Sequence, residues 1–153
     1  MNRVIKKTMF HTATIIIKGQ KHQALKFIEE LGELNLALKE QDREHIIEEL
    51  ADVELTMPYV YYLIPGHYHT RLNSCGTTFP YEQACNLTSM AVVSRIEQGD
   101  IKNLTKILTE SLIVLSISLT GVYLKHCITE REVDDWIETK KRRTLKRIIT
   151  GGI

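Results

Sequence analysis

A chain of 153 residues is long enough to bury a real hydrophobic core, and its length argues for one domain spanning residues 1–153. Hydrophobic residues at 43% and charged residues at 25% exclude a disordered polar chain, and a formal net charge of +1 argues against a dedicated nucleic-acid binder. Cys75, Cys85 and Cys127 form no CxxC pair and are odd in number, which argues against a disulfide framework and for reduced thiols in a cytoplasmic setting.

Taken in chain order, residues 1–18 hold an Ile15-Ile16-Ile17 run that reads as a strand or as the lead-in to a helix. The basic stretch Asn2 to Lys7 is not followed by an apolar segment with a cleavage site, so the sequons at Asn86 and Asn103 carry no expectation of glycosylation. Helix one is expected from about 20 to 40, with Ala24, Phe27, Ile28, Leu31, Leu34 and Leu38 on one face. Glu40-Gln41-Asp42-Arg43 reads as the turn of a helical hairpin with Asp42 as N-cap. Helix two follows from about 43 to 57 or slightly further, and Pro58 is expected to kink or end it.

A loop rich in His, Gly, Asn, Ser and Thr covers about 65 to 79. Helix three opens at Pro80 and ends before Gly99-Asp100. Helix four covers about 101 to 126; its most apolar part, Leu112 to Leu124, is interrupted by hydroxyl residues and Gly121 and is shorter than the ~20 residues of a membrane span. It reads as a buried bundle helix, with no membrane partner. Helix five starts after Thr129, whose spacing to Glu132 is that of a capping box. The fold class is therefore all-α, a bundle of about four to five helices without an internal repeat.

Two acidic clusters carry the chemistry: Glu29-Glu30-Leu31-Gly32-Glu33 on helix one and Glu48-Glu49-Leu50-Ala51-Asp52 on helix two. Glu30 and Glu33 are i, i+3 neighbours, as are Glu49 and Asp52, so each pair shares a helix face. Counted from the hairpin turn, the mean heights of the two pairs differ by about one residue's rise, ~1.5 Å, if the helices run antiparallel. Four carboxylates can therefore converge. Glu30 lies beside Phe27 and Leu34, and Glu49 beside Ile46 and Val53, positions where an unpaired charge is costly. A magnesium ion offsets the repulsion and asks for carboxylate oxygens. Either cluster alone also reads as a solvated helix face.

The arrangement Glu29-Glu30-x-x-Glu33, fifteen intervening residues, then Glu49-x-x-Asp52 resembles the signature of the MazG-like nucleoside triphosphate pyrophosphohydrolases, the all-alpha NTP pyrophosphatase group. The flanking Gln23 to Ile28 and Val53 fit as well, and Trp136 to Arg143 resembles the Lys-x-x-Arg segment that closes many short members. The resemblance is strongest over 19–57, weaker over 130–148, and does not cover 64–128. It implies a helical bundle that binds Mg²⁺, with Mn²⁺ as a substitute, through Glu30, Glu33, Glu49 and Asp52. It further implies hydrolysis of a nucleoside triphosphate to the monophosphate and pyrophosphate, in a homo-oligomer, dimer or tetramer. Bound metal screens phosphate charge and lowers the pKa of a water. Glu29 or Glu48 would serve as general base or as support; spacing does not choose between them. Lys140 and Arg143, matching Lys-x-x-Arg, would reach the substrate phosphates; the same residues also read as a basic helix end that complements the helix dipole.

Other residues have plainer readings. His67, His69 and Cys75 match no closed zinc pattern. Tyr59, Tyr61, Tyr62 and Tyr68 could stack on a base, but tyrosines after an apolar helix more often serve core or interface. Two alternatives stand against the pyrophosphohydrolase. One is a noncatalytic binding or regulatory module that keeps the fold; the other, a di-iron bundle, lacks its Glu-x-x-His pairs.

Overall fold

The computed structural model describes residues 19–64, 79–99 and 102–151. The expectations for residues 1–18 and for most of the 65–79 loop, with His67, Tyr68, His69 and Cys75, lie outside the described residues. The described residues form five α-helices: α1 (Gln20–Glu40), α2 (Arg43–Tyr61), α3 (Tyr81–Gln98), α4 (Lys102–Lys125) and α5 (Glu130–Ile149). The fold is an all-α bundle, as the helical periodicity requires.

α1 buries Ala24, Phe27, Leu31, Leu34 and Ala37 completely, one stripe at three- and four-residue steps. Ile28 and Leu38, expected on the same face, lie at its margin, half-buried. At the end of α1, Gln41 takes a left-handed φ of 59° and donates its backbone N–H to the Ala37 carbonyl at 3.1 Å. Asp42 then caps α2, its Oδ1 accepting from the N–H groups of Glu44 at 3.1 Å and His45 at 3.4 Å. This two-residue connection folds α2 back along α1, and the acidic clusters meet because they lie at matching distances from it.

Pro58 does not end α2, which runs to Tyr61. The proline falls in the last turn, where its missing N–H costs one intrahelical bond. Burial of Tyr59 and Val60 holds that turn, a fully buried side chain such as that of Val60 contributing about 1.5–3 kcal/mol.

The two helices expected in the middle of the chain, where the resemblance does not reach, are α3 and α4, which pack together as a second helical pair; α3 packs on α1 while α5 packs on α2. Pro80 precedes α3 with a φ of −59°, and Gly99 follows it with a φ of 76°. Tyr81, the first residue of α3, donates its hydroxyl to the Leu31 carbonyl of α1 at 2.8 Å, and Tyr123 of α4 donates to the Glu54 carboxylate of α2. The Thr129–Glu132 capping box opens α5 as read from the sequence.

α4 has the expected extent, Lys102–Lys125 against about 101 to 126, but its apolar stretch is longer than the expected Leu112 to Leu124. Asn103–Lys125 is 23 residues with a mean hydropathy of 1.8, long and apolar enough by length and composition to cross a membrane. Its hydroxyls do not break the helix, because Thr109, Ser111, Ser116 and Thr120 each hydrogen-bond a carbonyl three or four residues back. Leu108, Leu112, Leu115, Leu119 and Val122 enter the core, whereas Ile107 and Leu124 are exposed.

Candidate metal centre

The hairpin brings Glu30 of α1 together with Glu49 and Asp52 of α2, one carboxylate oxygen from each lying within 4.8 Å of the others. Glu30 and Glu49 are buried, 4% and 8% exposed, and Asp52 is half-buried. Glu33, the fourth expected ligand, is exposed and outside this trio. It nonetheless adds to the upward shift of both the Glu30 and the Glu49 carboxyls.

Each buried glutamate is held on one side by a base four residues before it. Lys26 Nζ donates to Glu30 Oε1 at 2.8 Å and to Glu29 at 3.0 Å, and His45 Nε2 lies 3.3 Å from Glu49 Oε1. His45 Nδ1 lies 2.9 Å from Glu40, which, with the charge of Glu49, raises the imidazole pKa. From α5, Lys140 Nζ donates to Asp52 Oδ2 and lies 3.7 Å from Glu48. The other oxygens, Glu30 Oε2 and Glu49 Oε2, are buried without a hydrogen-bond partner.

The electrostatics follow from burial. Desolvation pushes the Glu30 carboxyl up to about 7 against the Lys26 ammonium, with Asp52 and Glu33 adding to the rise. Glu49 is raised by burial and then by the charges of Asp52 and Glu33. Asp52 is raised by burial, with Lys140 pulling the other way. Three carboxyls that resist ionisation together, two with orphaned buried oxygens, suit a hard divalent cation. Glu30, Glu49 and Asp52 are the residues that would hold such an ion, which takes oxygen ligands.

Beside the trio, a cavity of about 320 Å³ runs between α1, α2 and α5. Glu30, Glu48 and Asp52 line its acidic side, while Lys26, Lys140, Arg143 and Arg147 make it cationic elsewhere. Lys140, Arg143 and Arg147 recur at three- and four-residue steps and share a face of α5. Tyr59 lines this cavity from a buried position, whereas Tyr61 and Tyr62 are exposed. Glu29 does not line it; its side chain is 58% exposed and paired with Lys26. Sequence reasoning missed Lys26, His45 and Arg147. The first two were findable, because a base at i−4 from each buried glutamate is a spacing signal.

An all-α bundle whose helical hairpin gathers carboxylates beside a cationic cavity is an arrangement suited to a phosphate-handling hydrolase. A family model, phosphoribosyl-ATP pyrophosphohydrolase, matches residues 1–71, which contain the whole α1–α2 hairpin and all six acids of the two clusters. That family comprises hydrolases of a phosphoanhydride and lies in the MazG-like all-alpha NTP pyrophosphatase superfamily. Searches of curated proteins and of solved structures return no match.

Proposed function

We propose that this protein is a Mg²⁺-dependent pyrophosphohydrolase that cleaves a nucleoside triphosphate, or a nucleotide of the phosphoribosyl-ATP kind, to the monophosphate and pyrophosphate. The observation that carries this reading is the carboxylate trio with two unpartnered buried oxygens, opening on a cavity whose other side is cationic. Glu30, Glu49 and Asp52 would hold the ion, with Glu33 completing the set from the rim. Bound Mg²⁺, or Mn²⁺ in its place, supplies charge screening at the phosphates and a water of lowered pKa.

The chain's own residues supply the rest. Arg143 and Lys140 bind phosphate oxygens, the guanidinium in a two-pronged way. Glu48, which lines the cavity, accepts the proton of the attacking water; Glu29 holds Lys26 in place. Leu55 and Tyr59 provide an apolar wall. A cavity of about 320 Å³ is at the small end for a ligand of nucleotide size, consistent with a homo-oligomer, dimer or tetramer, whose second copy completes the base end. A cytoplasmic setting, where nucleotides and Mg²⁺ are plentiful, fits this chemistry.

The test is pyrophosphate release from a panel of canonical and modified nucleoside triphosphates and phosphoribosyl-ATP, with Mg²⁺ and with excess chelator. Release that needs the metal and is lost in Glu49→Gln supports the reading. No release from any of them by the folded protein would favour a noncatalytic binding module.

A further inference from the structure

Lys140 reaches the carboxylate trio from a different helix and a distant part of the chain. Its side chain is only 16% exposed, and its ammonium rests on Asp52, one of the three carboxylates with ligand spacing. A divalent ion bound at the trio and this ammonium are rivals for the same carboxylate, and two cations a few ångströms apart in a half-buried site repel strongly. Lys26 stands differently. It shares its charge between Glu30 and the exposed Glu29 on its own helix, so it keeps a partner when Glu30 turns to a metal. For Lys140 the remaining carboxylate, Glu48, is 3.7 Å away, and the next groups along its face of α5 are Arg143, Thr144 and Arg147, all lining the cavity.

Resting on the reading of the trio as a divalent-cation site, we propose that Lys140 is an exchangeable counter-ion. The incoming ion takes Asp52, and the displaced ammonium turns into the cavity to pair with a phosphate of the substrate. Metal and phosphate chain then favour each other's binding, and by linkage the enhancement is reciprocal. Lys140 is thus a positioning residue for the metal before it is a ligand for the phosphate. The two roles have opposite signs on removal of the charge, a pattern that a purely structural lysine would not give.

The experiment compares wild type, Lys140→Met and Lys140→Arg after chelator treatment and dialysis, with circular dichroism to confirm helical content. Mn²⁺ affinity is measured by titration against the free-ion paramagnetic signal, and inorganic tripolyphosphate binding is measured calorimetrically in excess Mg²⁺. Lys140→Met is expected to bind Mn²⁺ about tenfold tighter and Mg²⁺-tripolyphosphate about tenfold weaker, while Lys140→Arg, which keeps the charge, stays close to wild type. Should Lys140→Met not fold, Lys140→Gln serves in its place. Mn²⁺ binding no tighter in the uncharged variant than in wild type overturns the exchange and leaves the cation site standing. Absence of Mn²⁺ binding in every protein overturns the cation site and the exchange with it.

Discussion

Arg43 grips both carboxylate oxygens of Glu132: its Nη1 lies 2.9 Å from Oε1 and its Nη2 donates to Oε2 at 3.0 Å. The same guanidinium donates to the carbonyls of His126 at 3.2 Å and Cys127 at 2.9 Å. Arg43 opens α2 and Glu132 belongs to the capping box of α5, so one two-pronged contact fixes the start of α5 against the start of α2. Lys140 approaches Asp52 two turns further along the same helix pair.

This contact sets an acid limb of stability. The Arg43 guanidinium, followed by the Thr129 backbone N–H, lowers the Glu132 carboxyl from 4.5 to about 2. A depressed pKa contributes stability that is complete above about 4.5 and is lost as pH falls toward about 2. Glu132→Gln should flatten the stability profile across that window. Denaturant midpoints measured from pH 6 down to about 2 check this, and an unchanged slope would assign the acid limb to other carboxyls.

Glu30 acts in the opposite direction. Its folded pKa of about 7 exceeds the ordinary 4.5, so the stability it contributes to the metal-free protein is complete below about 4.5 and is lost as pH rises through about 7. A divalent ion, which binds the ionised carboxyl, should reverse that loss and bind more tightly with rising pH. Thermal melts from pH 5 to 8, with chelator and with Mg²⁺, read both effects; Glu30→Gln should remove the first and weaken the second.

The two candidate bases separate by placement. Glu48 lines the cavity and Glu29 does not. Glu48→Gln should lower kcat by about 10²–10⁴-fold, the usual contribution of a general base, while Glu29→Gln changes activity by less than about tenfold. Equal losses in both variants would contradict the assignment of Glu48.

α4 exposes Ile107 and Leu124, at 50% and 75%, on an apolar helix of which only part is buried. If the exposed end of α4 around Leu124 joins copies of the chain, Leu124→Glu should shift the protein toward monomer without loss of helix, as a buried unpaired charge opposes the interface. Light scattering after size exclusion decides it. A wild-type monomer would remove this interface from consideration.

Local signals were legible because local physics makes them. The stripe Ala24, Phe27, Leu31 and Leu34, the cap at Asp42 and the box at Thr129 each act within a few residues. The meeting of Glu30, Glu49 and Asp52 also followed, since a short turn converts equal spacing into equal height. α2 continues three residues past Pro58, within the expected bound of 57 or slightly further, because one lost hydrogen bond is outweighed by the burial of Tyr59 and Val60. The apolar stretch of α4 reads as too short at Leu112 to Leu124, because its hydroxyls bond within their own helix instead of interrupting it. Lys140 on Asp52, Arg43 on Glu132 and Tyr81 on Leu31 depend on how distant helices dock, and no local pattern specifies that.

Tyr81 clasps the carbonyl of Leu31, the residue that follows Glu30 in α1. A fragment confined to residues 1–71 would keep every acid of the centre and lose both this anchor and Lys140. Such a fragment would be a poor surrogate for the whole chain, and a substitution in the α3–α4 hairpin could disturb the carboxylate trio without touching a single one of its members.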